Sequence, residues 1–95
     1  MFVVTLTYTA ELAEIDAALH DHAEWLDQQF NDGIFLASGR QIPRKGGVIL
    51  ASGTTRSDLE HRIAEDPFSE RGLASYEIAE FNATRVVPGL ELLQA

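Results

Sequence analysis

The chain has 95 residues, of which 45% are hydrophobic, and it contains no Cys. Lys and Arg number 7 against 15 Asp and Glu, which gives a formal net charge of −8. This sign disfavours nucleic acid and anionic membrane surfaces as partners, because both bind to basic protein faces. The absence of Cys excludes disulfide scaffolds, thiolate metal sites and Cys nucleophiles.

The length predicts one small domain over residues 1–95, with a C-terminal tail at about residues 86–95, since domains usually contain roughly 100–150 residues. The N-terminal sequence MFVVTLTYTAEL lacks the basic region of a signal peptide. Its apolar stretch is also too short to span a bilayer. We therefore expect a cytoplasmic protein without a membrane segment.

Hydrophobic periodicity and turn residues divide the chain into regular elements. The predicted elements are, in order, a strand at residues 2–8, a helix at 11–32, strands at 34–41 and 48–52, a helix at 56–65, a further helical turn at 68–73 and a strand at 75–83. The sequence Pro-Arg-Lys-Gly-Gly between the second and third strands predicts a tight connection, and hence an antiparallel hairpin.

Within these elements, the apolar residues favour particular buried faces. The first helix carries an apolar arc formed by Leu12, Ile15, Ala18, Leu19, Trp25, Leu26 and Phe30. In the last strand, Tyr76, Ile78 and Phe81 are predicted to point inward. Thr55 and Asp58 resemble a capping box at the start of the second helix.

The order β-α-β-β-α-β is that of the ferredoxin-like, or split βαβ, α+β fold. It predicts a four-stranded antiparallel sheet with two helices on one face. The other face would then be uncovered in a monomer. Because the strands carry apolar residues on both faces, we expect that face to be buried in a homodimer.

The acidic residues are unevenly distributed. Residues 1–39 contain seven acids and no Lys or Arg, whereas residues 40–95 contain eight acids and all seven bases. Most acids of the first part fall on the polar arc of the first helix. We interpret this arc as a solvated face, and we expect the bases after residue 39 to lie nearer to a binding cleft.

His22 lies within the apolar arc of the first helix, one turn from both Leu19 and Leu26. A buried imidazole needs a hydrogen-bond partner, because an unpaired buried polar group costs about 1–3 kcal/mol. The structural interpretation is a core histidine bonded to a backbone carbonyl. The functional interpretation is a general acid or base in a cleft.

Asp66 follows the second helix and precedes Pro67. The structural interpretation is an N-cap for the next helical turn, with Pro67 at its first position. The functional interpretation is a carboxylate that accepts a hydrogen bond from an imidazole and selects its tautomer. Both helices lie on one sheet face in the predicted fold, so His22 and Asp66 are able to meet there.

Ser38, Gly39 and Arg40 come at the end of the second strand. A Gly at a strand end lets a ligand approach the backbone, although a bend or a bulge explains it equally well. Ser38 is a candidate donor to a substrate. Arg40 clusters with Arg44 and Lys45 near the hairpin, either as solvated turn charges or as partners for a substrate carboxylate. A metal site is not expected, because His20 and His22 are two residues apart and do not share a helix face.

Residues 22–39, with the sequence HAEWLDQQFNDGIFLASG, are followed by a hairpin, a helix, EDPF at residues 65–68 and a strand beginning SYEI. Together they resemble the YciI-like, or YCII-related, family over about residues 2–85. The anchors of this resemblance are His22, the Ser38-Gly39 pair and Asp66 with the Pro67 and Phe68 that follow it.

The resemblance implies a dimeric α/β barrel, in which ferredoxin-like subunits pack sheet to sheet. It also implies a His–Asp pair in a cleft, here His22 and Asp66, and chemistry without a metal or organic cofactor, such as removal of chloride from a hydroxylated ring in one relative. Many relatives have an Arg shortly before the His, where this chain has Leu19 and His20. Relatives often have Pro where this chain has Arg40.

Two functions follow as hypotheses. The first is a cofactor-independent enzyme of lyase, hydrolase or isomerase type that acts on a small aromatic or cyclic substrate. In it His22 moves a proton, Asp66 orients the imidazole, and Ser38, Gly39 and Arg40 bind the substrate. The alternative is a non-catalytic dimeric module that binds a small ligand or serves in regulation through the same cleft.

Overall fold

The structure is a computed structural model that describes residues 1–94. Its elements are β1 (Phe2–Tyr8), α1 (Leu12–Asn31), β2 (Phe35–Arg40), β3 (Gly46–Ala51), α2 (Arg56–Ala64), α3 (Pro67–Glu70) and β4 (Ala74–Glu80), followed by a 3-10 turn at Glu91–Leu93. This order confirms the predicted ferredoxin-like α+β arrangement.

The four strands form one antiparallel sheet in the order β2-β3-β1-β4. Phe2 pairs with Ala51 on β3 and with Glu80 on β4. The first strand in sequence is therefore one of the two central strands. The predicted β2–β3 hairpin is confirmed, with a register irregularity between Phe35 and Ala37.

Both long helices pack on the same face of the sheet. Every second residue of β1 points to this face, and Phe2, Val4 and Leu6 are all buried. Trp25 of α1 and Leu59 of α2 join Phe2 and Val4 in one hydrophobic cluster. The helices are also linked directly, because the Trp25 indole N–H donates to the Arg62 carbonyl oxygen at 2.9 Å.

The opposite face of the sheet is not covered by a helix. A row of apolar side chains crosses all four strands on this face, since the register places Ala37 beside Leu50, Leu50 beside Val3, and Val3 beside Ala79. Val3 and Leu50 are half-buried, while Ala37 and Ala79 are exposed. We call these four residues the outer apolar row.

Several expectations about buried residues were wrong at the ends of elements. β4 ends at Glu80 rather than at residue 83, because the β1 register ends at the Phe2–Glu80 pair and the next residue donates only to the Met1 carbonyl oxygen. Phe81 therefore leaves the sheet and is 47% exposed. Leu12 and Phe30, at the two ends of α1, are 46% and 39% exposed, although the Phe30 ring still meets Phe35 of β2 edge-on with centroids 6.0 Å apart.

The predicted capping box at α2 is half confirmed. The Thr55 side-chain oxygen accepts from the Asp58 backbone N–H at 3.1 Å, as an N-cap does. The reciprocal bond is replaced, because the Asp58 carboxylate accepts instead from the Thr54 hydroxyl and from Arg62. Asp58 thus joins a network that connects α2 to α1, where Arg62 also donates to Gln29 and Asp32.

Candidate active site

A cleft of about 210 Å³ lies between α1 and the β1, β2 and β3 part of the sheet. Its walls are mostly apolar side chains and glycines, and its polar side chains include His22, Ser38 and Arg40. The lining residues are Leu6, Tyr8, Leu19, His22, Ala23, Leu26, Ser38, Gly39, Arg40, Gly46, Gly47, Val48 and Ile49. Residues as far apart in the sequence as Leu6 and Ile49 therefore line one cavity.

His22 is held in this cleft by aromatic side chains. Its ring stacks on Phe68 with centroids 4.0 Å apart and planes 5° apart, and the Trp25 ring lies 5.7 Å away. The His22 side chain keeps 14% of its surface exposed. These contacts with the His22 ring restrict its rotation. The two ring nitrogens can then make hydrogen bonds in the plane of the imidazole.

Asp66 lies behind His22 and has no exposed surface. Its Oδ1 accepts from His22 Nδ1 at 2.8 Å and from the Phe68 backbone N–H at 3.0 Å. Its Oδ2 accepts from the Tyr76 hydroxyl. A buried carboxylate needs such compensation, because leaving a buried charge unpaired is strongly unfavourable.

The two interpretations of Asp66 are thus compatible in one geometry. Asp66 is the N-cap of α3, with Pro67 at the start of the helix, and it also contacts His22. For His22, the structure has a carboxylate partner where the structural interpretation expected a backbone carbonyl. The N-cap bond holds Oδ1 in place at a helix start, and this position is within reach of α1.

Tyr76 was predicted only to point inward, but its hydroxyl also contacts Asp66 of the candidate site. It reaches Asp66 from β4, on the side of Asp66 away from the helix start. Burial, and then the hydrogen bond to the Asp66 carboxylate, raise the pKa of the Tyr76 hydroxyl far above its ordinary value. A sequence signal was available, since an inward-facing Tyr usually has a buried partner for its hydroxyl.

The Asp66 contact determines which ring nitrogen of His22 carries the proton in the neutral form. An ionised carboxylate only accepts hydrogen bonds, so Nδ1 is the donor. Nε2 then carries the lone pair and is the nitrogen available to a molecule in the cleft. This arrangement can accept a proton at Nε2, and Asp66 can stabilise the imidazolium that results.

Ser38, Gly39 and Arg40 are exposed residues of β2, and all three line the same cleft as His22. A Cβ added at Gly39 would meet no atom within 4 Å. The backbone of Gly39 is therefore accessible without any steric requirement for glycine in the fold. The register pairs Ser38 with Ile49 and Arg40 with Gly47 on β3.

The bases near the cleft differ in their pairing. Arg44, in the β2–β3 connection, binds Asp16 of α1 at 2.6 Å, and its guanidinium lies 5.9 Å from the centre of the Tyr8 ring. The hydrogen bond that Arg44 donates to Asp16 raises the pKa of Arg44. Arg40 has neither an ion pair nor a side-chain hydrogen bond to any residue of the described chain.

Residues 1–94 contain no group of three or more His, Cys, Asp or Glu side chains placed to hold a metal ion. No helix in this part of the chain is both long enough and apolar enough to cross a bilayer.

The fold agrees with what comparison with known proteins finds. The YCII-related domain matches residues 1–82, and the chain belongs to this family. A search of curated proteins found no match.

Two enzymes are among the solved structures that are similar to this chain. One is 5-chloro-2-hydroxyhydroquinone dehydrochlorinase from Burkholderia phenoliruptrix in complex with 2,5-dihydroxybenzoquinone, with a TM-score of 0.71 and 12% identity over 86% of this chain and 94% of that chain. Another is SnoaB, a cofactor-independent oxygenase from Streptomyces nogalater, with a TM-score of 0.49 and 20% identity over 92% of this chain and 94% of that chain. The dehydrochlorinase shares the fold of this chain.

Proposed function

We propose that this protein is a cofactor-independent enzyme that performs acid–base chemistry on a small aromatic or cyclic molecule, with His22 and Asp66 as its catalytic pair. One observation carries the proposal: a ring nitrogen of a cleft-lining His contacts a fully buried carboxylate at 2.8 Å. A His held in one tautomer beside a cavity is suited to moving protons near neutral pH.

In the proposed step, the protein supplies the proton carrier and its partner from its own side chains. Nε2 of His22 removes a proton from a substrate O–H or C–H group, or from a water molecule in a hydrolase reaction, and Asp66 stabilises the imidazolium through Nδ1. The imidazolium then gives the proton to another substrate atom or to a basic leaving group, or to solvent when chloride leaves as the free anion, so that His22 ends the cycle neutral. A lyase, an isomerase or a hydrolase reaction is compatible with this proton balance.

Ser38, Gly39 and Arg40 bind the substrate in this proposal. The Ser38 hydroxyl and the Gly39 backbone offer hydrogen bonds, and Arg40 offers a positive charge. Support comes from their position, because all three line the cleft that also contains His22. The dehydrochlorinase of the same fold binds a hydroxylated six-membered ring, which is a ligand of the size that we propose here.

The proposed assembly is a cytoplasmic homodimer in which two sheets pack through their outer faces. The outer apolar row supports this proposal, because it leaves apolar side chains of all four strands without cover in one chain. The cleft lies on the helix side of the sheet, so this mode of packing leaves it open to a small ligand.

The test is a turnover screen with hydroxylated and chlorinated benzenes and quinones, in which proton release and chloride release are followed. On any substrate that is turned over, His22→Gln should lower kcat by about 10²–10⁴-fold, the usual contribution of general acid–base catalysis. His61→Gln is the matched control, because His61 is exposed on α2 and bonds only to its own helix.

Two outcomes would contradict the proposal. Full activity of His22→Gln on a confirmed substrate would exclude the catalytic role of the pair. If ligands bind in the cleft with no turnover across the screen, the alternative function, a non-catalytic binding module, is favoured. An unchanged melting temperature for His22→Gln separates loss of chemistry from loss of fold.

A further inference from the structure

The lining of the cleft contains no acidic side chain, although the protein as a whole is strongly acidic. The chain contains 15 Asp and Glu, yet the residues that line the cleft include no acid and one formal cation, Arg40. Asp66 is the acid nearest to this chemistry. It is fully buried, does not line the cleft, and accepts three hydrogen bonds from Tyr76, Phe68 and His22.

The segment around Arg40 adds to this positive character. Residues 40–45 contain three of the seven bases of the chain and no acid. The charge of Arg44 is compensated by Asp16, whereas Arg40 contacts no acidic side chain within residues 1–94. A cation without a protein partner beside an apolar cavity attracts an anionic group, because the apolar walls weaken the screening by water.

The rest of the cleft limits what such an anion carries. Its walls include Leu6, Leu19 and Leu26, which favour an apolar body. Its volume of about 210 Å³ is below the roughly 300–1,000 Å³ of sites for drug-sized ligands. The ligand is therefore small, with a single ring or a short chain.

The two polar ends of the cleft, at His22 and at Arg40, also determine how the ligand is oriented. In the tautomer that Asp66 selects, Nε2 of His22 is an acceptor and therefore meets a protonated atom rather than an anion. The anionic group is then placed at Arg40 and the proton that leaves is placed at His22.

We propose that the cleft selects small organic monoanions, such as ring carboxylates or phenolates, and that Arg40 is the residue that determines this specificity. The inference rests on the proposed function in one respect, namely that His22 accepts a proton from the ligand. Because it concerns binding, it is measurable without turnover. Carboxylate and phenolate share the chemistry that Arg40 recognises, namely a singly charged oxygen acceptor beside an apolar ring.

The test is a titration of the intact protein followed by NMR with pairs of ligands of equal shape. Benzoate should bind at least tenfold more tightly than benzamide. 4-Nitrophenol should bind more tightly above its own pKa than below it if phenolates are also accepted. Higher ionic strength should reduce both preferences, since salt screens an exposed cation.

Variants locate the preference. Arg40→Gln should remove the difference between benzoate and benzamide, and Arg40→Lys should keep part of it, because Lys retains the charge without the planar fork. Arg85→Gln is the control, since Arg85 is an exposed base outside the cleft. A preference that survives in Arg40→Gln overturns the proposal, and so does the absence of binding by both benzoate and nitrophenolate.

The same titration with His22→Gln separates this inference from the proposed function. If this variant keeps the preference for benzoate while wild-type protein shows no turnover of any substrate, the catalytic proposal fails and the binding proposal stands. If turnover is found but neutral and anionic ligands bind equally, the binding proposal fails alone.

Discussion

Asp66 has three roles at once, and each role involves a different partner. It caps α3 by accepting a hydrogen bond from the Phe68 N–H, accepts another from the Tyr76 hydroxyl, and contacts His22. Because the carboxylate is held from two other sides, its position does not depend on the imidazole. The orientation of His22 is therefore determined by a rigid partner, as proton transfer to a bound molecule requires.

Tyr76 gives the prediction at this scale. Tyr76→Phe removes the donor to Asp66 Oδ2 and leaves a buried acceptor without this partner, which should cost about 1–3 kcal/mol of unfolding free energy. Urea unfolding near neutral pH measures this cost. Tyr8→Phe is the matched control, because the Tyr8 ring packs on Phe68 while its hydroxyl makes no hydrogen bond to Asp66.

The alkaline limb of the same experiment tests the raised pKa of Tyr76. A hydroxyl whose folded pKa lies above its unfolded value stabilises the fold below the unfolded pKa, which is about 10 for Tyr, and loses that contribution as the pH rises further. Wild-type protein should therefore lose stability above about pH 10 more steeply than Tyr76→Phe. Parallel curves for the two proteins would contradict the assignment.

At the scale of elements, the β2–β3 hairpin forms one side of the cleft and depends on close contact between backbones. A Cβ added at Gly46 would lie 1.7 Å from the Leu6 carbonyl oxygen, on the neighbouring β1 strand. No side chain fits there without separating β1 from β3. Gly46 and Gly47, which were predicted to lie in the turn between β2 and β3, are part of strand β3.

We expect Gly46→Ala to destabilise the protein by about 3 kcal/mol or more, because the clash is with backbone and no flexible side chain can move aside. Gly39→Ala should change stability by less than about 1 kcal/mol, since the added methyl group meets open space. Thermal unfolding of the two variants measures the difference. Equal melting temperatures would show that β1 and β3 are not in this close contact.

The elements themselves were predictable to within three residues at either end, with the largest differences at the C-terminal ends of α3 and β4. Alternation in β1 and the 3.6-residue period in α1 are local properties, and each followed from side-chain burial on one face. The end of β4 depended on where its partner strand stops pairing, which is a non-local fact. The exposure of Phe81 has the same origin.

At the scale of the whole molecule, tertiary contacts pair acids of the N-terminal part of the sequence with bases of the C-terminal part. Acids of the base-free first part bind bases of the second part in the pairs Asp16–Arg44, Asp21–Arg71 and Asp32–Arg62, with distances of 2.6, 2.6 and 2.7 Å. The polar arc of α1 is thus only in part the solvated face that the sequence suggested. Each pair is partly exposed, so its contribution to stability is modest.

The outer apolar row gives the prediction about assembly. In the proposed homodimer, Leu50→Glu places a charge in the middle of this row and should convert the dimer to a monomer, because a buried unpaired charge is strongly unfavourable. Sedimentation at micromolar concentration measures the mass. Leu92→Glu is the control, since Leu92 is exposed beyond the sheet. A monomeric wild-type protein would contradict the proposal.

By itself the sequence determined the order of the elements, the apolar face of β1, and the position of His22 on the buried side of α1. These follow from periodicity, which acts over neighbouring residues. The tertiary structure decided that His22 and Asp66, 44 residues apart, lie within hydrogen-bond distance and that Tyr76 completes the contacts of that carboxylate. It also decided that Arg40 lines the same cleft as His22 without an acidic partner in residues 1–94. The physical reason is that these contacts depend on how helices and strands pack across the sheet, and spacing along one element carries no record of that packing.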